Sequence, residues 1–508
     1  MKQHQPSRAL CKRSAVAIGV SLLMATTVMA QSSDGSLFGR SKPGSTVVIT
    51  NVETGASRQV RAERDGSFAA SKLPPGTYKV TADGVTRQVA VAIGSGTEVV
   101  LDAGQRVEIT GTRARTLIDM SSSESNSVFT QDQIRALPVA RSVDAVALLA
   151  PGTIKGDTFA NEEDLKLPSF GGASIAENGY YINGLDVTNI RNFLSYADLP
   201  FDAIAQQQVK SGGYGAEYGR SLGGVISLVT KRGTNEWKGG VSVYWEPSSL
   251  RSNGKDVADL DPDRAGLPAV FNSADREEKR SYVLYGGGPV IKDKLFVFGA
   301  IEAHDDYDTR FRQSNSTKRT NTKPNGMLKV DWSLTDNHLL EFTAIENKKK
   351  LTYRDYKSNT DYSPNLDQFQ GTSQRDSGGS VLIGKYTGYL TDNLTVSALV
   401  GRVKDKVNTF SGYRKSLENC PVVLETDLAD IGCWVPPFPS EGSRVKGFPD
   451  DNDQRDSYRL DFEYVYGKHT IRAGIDNQSF KSLDTQTDTF TGGAYFRYFF
   501  VPASGRIN

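Results

Sequence analysis

Past residue 30 the chain has no run approaching roughly 18 consecutive apolar residues, which excludes a membrane-spanning helix there. Neither sign of charge dominates: 60 basic residues face 59 acidic ones, a formal net charge of +1. A nucleic-acid binder, which needs a basic patch or stripe, is therefore not indicated. Histidine is scarce, and His4, His304, His338 and His469 are isolated from one another. With no Ser-His-Asp or zinc constellation, the sequence offers no catalytic residues, no metal site and no cofactor site. Cysteine is nearly missing too. Cys11 lies at the N-terminus, and Cys420 and Cys433 are spaced too widely for a CxxC redox motif.

What is present favours turns and strands: 49 glycines, 21 tyrosines and 22 phenylalanines, with only 38% hydrophobic residues. Lys2, Arg8, Lys12 and Arg13 precede a mostly apolar stretch at 15–29, and Val28-Met29-Ala30 forms a small-residue cleavage site before Gln31. Residues 1–30 therefore read as a secretory signal peptide. An exported chain can carry a disulfide, so Cys420 and Cys433 are a candidate bridge across one polar loop; a free pair is the alternative. A membrane protein without apolar helices must use a closed barrel, because lipid cannot satisfy exposed backbone groups.

Residues 31–104 read as short strands with regular turn punctuation, such as Asp65-Gly66 and Pro74-Pro75-Gly76. Asp65-Gly66-Ser67-Phe68 followed by Leu73-Pro74-Pro75-Gly76-Thr77-Tyr78 resembles the carboxypeptidase regulatory-like domain. That resemblance implies a transthyretin-like β-sandwich without peptidase chemistry. Residues 105–112 form a β-prone linker, followed by a polar run at 121–127. Thr130-Gln131-Asp132-Gln133 fits a capping box that opens a short helix ended at Pro138, and a second helix is expected over 142–149.

Within 113–233 four blocks recur in order. Phe170-Gly171-Gly172 precedes Tyr180-Tyr181-Ile182-Asn183-Gly184-Leu185-Asp186, and Pro200-Phe201-Asp202-Ala203-Ile204 follows. The last runs from Gly212-Gly213-Tyr214-Gly215-Ala216-Glu217-Tyr218-Gly219 to Gly223-Gly224-Val225-Ile226-Ser227-Leu228-Val229-Thr230. Together they resemble the plug domain of TonB-dependent outer-membrane receptors, most similar to the Oar-like group. From 234 to 508 the pattern becomes alternation: Tyr458, Leu460, Phe462, Tyr464 and Tyr466 are interleaved with Arg459, Asp461 and Glu463. Period-two writing of this kind puts one set of side chains on lipid and the other in a polar lumen. Strands are also expected near 282–288, 295–303, 327–332, 339–345, 381–390, 394–403 and 470–475. Tight turns at 292–294, 335–337, 391–393 and 467–469 alternate with long polar segments at 248–279, 305–323, 350–377 and 409–455. The expected fold is mainly β: a sandwich, an α+β plug and an incomplete antiparallel barrel with about ten of about 22 strands, hence a chain cut short.

The resemblance implies a receptor that binds an extracellular solute and imports it by energy-coupled plug movement. Its partners would be TonB, with ExbB and ExbD as energy source, outer-membrane lipid and an extracellular ligand. Val107, Glu108, Ile109, Thr110 and Gly111 fit a TonB box, the segment lent to TonB as an added strand; the alternative is a last strand or linker of the sandwich. The sandwich and this box would lie in the periplasm. Glu217 and Arg220 are candidate plug–barrel contacts, or else solvated charges. Arg191, Asn192, Phe193 and Tyr196 form a candidate apical ligand loop, or else pack against the barrel. The acidic stretches at 259–263 and 450–453 lack a calcium-loop pattern and read as solvated charge. A different function class, a surface adhesion protein reusing the scaffold without import, is distinguished by binding that does not depend on the proton gradient.

Overall fold

The computed structural model describes residues 33–101, 125–156 and 167–411, apart from 192, 195, 216–217, 220, 261–265, 314, 358 and 360–362, together with 422–424, 444–445, 452–466, 469–482, 489–490 and 495–497. The first unit is a sandwich of seven strands: β1 (Gly35–Arg40), β2 (Thr46–Asn51), β3 (Ser57–Arg61), β4 (Ser67–Leu73), β5 (Gly76–Ala82), β6 (Val85–Val91) and β7 (Gly96–Val100). One sheet has the order β4-β1-β7 and the other β3-β2-β5-β6. Alternate residues of each sheet, among them Leu37, Val47, Ile49, Val60, Phe68 and Val80, meet in a common core. The β5–β6 turn places both Asp83 and Gly84 at positive φ, as a two-residue hairpin of matching twist requires. The Tyr78 hydroxyl donates to the Pro74 carbonyl at 2.7 Å, tying the preceding turn to the core.

The second unit is an inner module. Its strands are β8 (Ser125–Thr130), β9 (Thr153–Lys155), β10 (Pro168–Phe170), β11 (Gly179–Ile182), β12 (Leu185–Asp186), β13 (Ile204–Gly212) and β14 (Val225–Thr230). Five of them form a sheet with the order β12-β11-β14-β13-β8. The apolar run of β14 is buried at every position because it is the central strand and is covered on both faces. A helix at Gln131–Ala136 starts where the Thr130 N–H donates to Gln133 Oε1 at 2.8 Å, closing the expected capping box. A second helix, Val143–Ala147, is capped by Ser142, whose Oγ accepts from the Ala145 N–H at 3.1 Å. The polar run at 121–127 proves to be partly strand. β8 is an edge strand, and pairing with β13 on one side is enough to hold its half-exposed serines and asparagine in a ladder.

The third unit is the wall. It comprises β15 (Lys238–Glu246), a small ribbon of β16 (Val257–Ala258) and β17 (Pro268–Val270), then β18 (Arg276–Ile291), β19 (Leu295–His304), β20 (Asp306–Phe311), β21 (Asn315–Asn321), β22 (Asn325–Thr335), β23 (His338–Glu346), β24 (Lys349–Lys357), β25 (Phe369–Tyr389) and β26 (Leu394–Ser411). β27 (Val422–Leu424) and β28 (Arg444–Val445) are short, and β29 (Asp453–Tyr466) and β30 (His469–Ser482) complete it. Twelve of these form one antiparallel sheet. β18 pairs with both β19 and β20, and β25 with both β23 and β24, so β19–β20, β21–β22 and β23–β24 each act as one span. Nine successive spans result among the described residues, where the sequence reading counts about ten.

Much of 305–323 and 350–377, read above as loop, is strand in β20, β21, β24 and the start of β25. Polar residues on both faces hid these extensions. They are stitched instead by cross-strand polar pairs such as the Thr317 hydroxyl to Asp355 Oδ1 at 2.7 Å and Arg319 to Asp308 at 3.1 Å. Along β29 the alternation is realised with its sense inverted relative to a water-soluble sheet. Tyr458, Leu460, Phe462, Tyr464 and Tyr466 are 56, 37, 43, 42 and 67% exposed, whereas Arg459, Asp461 and Glu463 are 8, 7 and 3% exposed. Register carries the pattern across strands, since Val400 faces Tyr458, Val396 faces Phe462 and Leu394 faces Tyr464. Such a wall is stable only with an apolar solvent outside. Among the described residues no helix is long and apolar enough to cross a membrane.

Outward aromatic residues gather at two levels. Trp237, Trp332 and Tyr466 lie near the short turns, and Trp245, Tyr282 and Tyr458 lie toward the long connections; all six are exposed. The separation is eight residues both from Trp237, just before β15, to Trp245 and from Tyr458 to Tyr466 in β29, about 26 Å of extended chain. Tilted by about 40°, that is about 20 Å of height, close to the roughly 25 Å apolar band of outer-membrane barrels.

Candidate functional site at the seam of inner module and wall

The inner face of the wall packs on the inner module. Phe298, Ala300, Met327, Ile345, Val381, Ile383, Leu399 and Val403 of the wall share one core with Ile182, Leu185, Ile226 and Leu228. Around this apolar centre the seam is ionic. The β11–β12 hairpin turns on Asn183 and Gly184, both at positive φ, and pushes the Asn183 amide outward. Its Nδ2 donates to Thr230 Oγ1 at 2.9 Å and to Thr343 Oγ1 of the wall at 3.1 Å. Gly401 faces Leu185 so closely that a Cβ there would lie 2.4 Å from Leu185 Cδ1.

Asp186 follows on the same hairpin and meets Arg455 of β29. Arg455 Nη1 lies 2.7 Å from Asp186 Oδ1 and donates to the Asp186 carbonyl at 2.8 Å, with Arg455 only 2% exposed. Toward the long connections, Asn189 donates to Asp405 at 2.7 Å, and Arg191 reaches Asp453 with Nε at 3.1 Å and Nη2 at 2.8 Å. On another side Arg141 pairs with Asp202 at 3.2 Å and with Glu302 of the wall at 3.5 Å, its guanidinium lying over the Tyr244 ring. Just after β14, Arg232 meets Glu341 at 2.9 Å, and Lys329 and Lys385 approach the same carboxylate at 3.4 and 3.5 Å. Buried pairs of this kind gain little net stability, yet breaking one partner is costly, so they fix position more than they add affinity.

Inside the module, Asp144 accepts from the Tyr180 hydroxyl at 3.2 Å and the Tyr196 hydroxyl at 3.0 Å, while the two rings stack at 4.1 Å. Burial pushes the Asp144 carboxyl up to about 6, against the pull of those two hydroxyls. Burial likewise lowers the Lys231 ammonium to about 8.

The expected site residues fall as follows. Arg191 is engaged with Asp453, Tyr196 is engaged with Tyr180 and Asp144, and Phe193 is 37% exposed with positive φ at the long-connection end. Asn192, Glu217, Arg220, the segment Val107 to Gly111, and Cys420 with Cys433 lie outside the described residues. Among the described residues, the contacts that join module to wall include those of Arg141, Asn183, Asp186, Asn189, Arg191 and Arg232. The Asn-Gly hairpin and the Lys231-Arg232 pair ending a fully apolar run were the available signals. Among the described residues no group of three or more His, Cys, Asp or Glu side chains could hold a metal ion.

Residues 119–225 match the family described as TonB-dependent Receptor Plug Domain. The chain is 24% identical over 475 residues to the TonB-dependent transporter Oar of Myxococcus xanthus, a match covering 85% of this chain and 43% of that protein. It thus spans less than half the length of that relative. Similar solved structures include the outer membrane transporter YddB from Escherichia coli, at 15% identity and TM-score 0.46, covering 70% of this chain and 53% of that one. Another is the siderophore receptor PirA from Acinetobacter baumannii, at 14% identity and TM-score 0.42, covering 72% of this chain and 49% of that one.

Proposed function

We propose that this chain, a TonB-dependent receptor of the Oar-like kind by its plug domain and its similarity along most of its length, binds an extracellular solute and imports it by energy-coupled movement of the plug. The observation that carries the reading is the inverted alternation of β29, greasy outside and charged inside, in a wall whose inner face holds the plug through an apolar centre ringed by ion pairs. A wall of this kind belongs in an outer membrane, which has no energy source of its own. The plug must then be moved by a partner pulling from the other side. Val107, Glu108, Ile109, Thr110 and Gly111 offer TonB, energised by ExbB and ExbD, a strand to pair with. The seam suits this cycle because its ion pairs fix the position of the plug more than they add affinity, where a wholly greasy seam would hold it as a block. The sandwich and the 107–111 segment would face the periplasm. Arg191, Asn192, Phe193 and Tyr196 would lie at the solute's side, and Glu217 and Arg220 would add to the plug–wall contacts.

The test is a cysteine scan. Single cysteines at 107–111 in the full chain, expressed with a cysteine-bearing TonB, should give disulfide adducts in intact cells, strongest at alternate positions. Absence of adducts across all five, with the protein present in the outer membrane, would overturn the assignment of that segment.

A further inference from the structure

The sandwich does more than precede the plug; it is bolted to the short-turn end of the wall and to the plug together. We infer that it is an internal lock, whose docking holds the plug's anchoring charges in balance, so that sandwich release and plug loosening are one coupled event. The inference deepens the proposed function and rests on its reading of residues 107–111 as the segment that is pulled.

Asp34 of the sandwich accepts from Lys385 Nζ at 2.7 Å on both carboxylate oxygens, and Ser33 Oγ accepts from the same ammonium at 2.9 Å. Lys385 is in turn 3.5 Å from Glu341, which holds Arg232 at 2.9 Å directly after β14. Lys329 lies 3.4 Å from Glu341 and 3.8 Å from Asp331. Counted together, Asp34, Glu341 and Asp331 balance Lys385, Arg232 and Lys329. Withdrawing the sandwich removes Asp34 and leaves one positive charge in excess around the residue that fixes the end of the plug, in surroundings where an unmatched charge is costly.

A second bolt reaches the plug sheet itself. The Ile93 N–H donates to Gln206 Oε1 at 2.9 Å, and Gln208 Nε2 donates to the Ile93 carbonyl at 3.1 Å. Two side chains of β13 thereby satisfy both backbone groups of one sandwich residue, and Gln208 is fully buried. The neighbouring Gly94 has φ +59, and a Cβ there would lie 2.4 Å from Gln208 Nε2, so the tip is shaped to this contact. A third contact secures the rim: the Tyr389 hydroxyl donates to the Lys72 carbonyl at 2.9 Å, with Arg58 over the Tyr389 ring at 4.0 Å. The segment 102–124 joins Leu101 of the sandwich to Ser125 of β8, so tension applied there loads lock and plug at once.

The test uses the full chain in lipid vesicles, with no TonB present, and reads amide hydrogen exchange. Asp34→Asn and, separately, Gly94→Val should raise exchange about tenfold in β13 and at 231–234, along with the sandwich face that docks. The conservative variant Asp34→Glu, which keeps the carboxylate facing Lys385, should leave both regions close to the parent, which a general sensitivity of folding to this position would not do. If either variant frees the sandwich while β13 and 231–234 exchange as before, or frees neither, the lock is wrong. Because no partner is present, failure of the 107–111 adducts would remove the pulling site and leave this result standing.

Discussion

Asp144 is a residue whose chemistry burial displaces far from the ordinary. Two tyrosine hydroxyls point at its carboxylate, yet burial outweighs them and the group titrates near 6. The folded plug therefore keeps a proton that the unfolded chain has already released. Stability attributable to Asp144 is whole below about pH 4, falls as pH rises toward 6, and is flat above that; the full loss is about 3 kcal/mol by the proportion of about 1.4 kcal/mol per pH unit. Asp144→Asn keeps an acceptor for at least one hydroxyl and has no charge to bury. It should flatten the thermal-unfolding midpoint between pH 4 and 6 and raise it at pH 7.5; an unchanged pH profile would refute the burial argument. Arg455 presents the opposite case, a permanent charge that must stay paired. Arg455→Met strands Asp186 in the seam and should cost about 3–5 kcal/mol in urea unfolding, whereas removing both partners with Asp186→Asn in addition should recover part of the loss.

At the level of elements, the wall depends on parity. Phe462 lies midway between Tyr458 and Tyr466 on the outward face of β29, opposite Val396. Phe462→Arg should therefore destabilise the wall in vesicles by about 2–4 kcal/mol, the cost of a cation near the bilayer midplane, while Phe462→Leu should cost far less. Equal effects would mean the face is wet. This parity was legible because it is local: neighbours two apart in sequence share a face, so Arg459, Asp461 and Glu463 announce the inside without any knowledge of the partner strand. The plug sheet was legible for a related reason, since the unbroken apolar run of β14 and the Asn183-Gly184 turn are both short-range signals. What escaped is long-range or weakly written. Arg232 finds Glu341 and Arg191 finds Asp453 across more than 100 residues, and no periodicity names such partners. β21 is polar on both faces, and β8, β20 and β24 carry only scattered apolar residues among polar ones, so alternation is silent there.

For the whole molecule, the two levels of outward aromatics set the depth at which it must sit. Trp237 and Trp332 mark the short-turn level and Trp245 the other, while Leu284, Ile301 and Phe342 are exposed between them. Indole rings prefer the polar boundary of a bilayer to its centre, because the ring is greasy and its N–H needs a partner. Variants retaining a single tryptophan at 237, 245 or 332, reconstituted into vesicles, should all be quenched more strongly by lipids brominated near the headgroup than by lipids brominated at the chain end. A tryptophan placed at Leu284 or Phe342 should reverse that order. The two levels should also differ in side: a water-soluble quencher added outside sealed, uniformly oriented vesicles should reach Trp245 or the Trp237–Trp332 pair, but not both. Were all positions quenched alike by a soluble agent and untouched by brominated chains, the wall would face water, and the inverted alternation on which the receptor reading stands would need another cause.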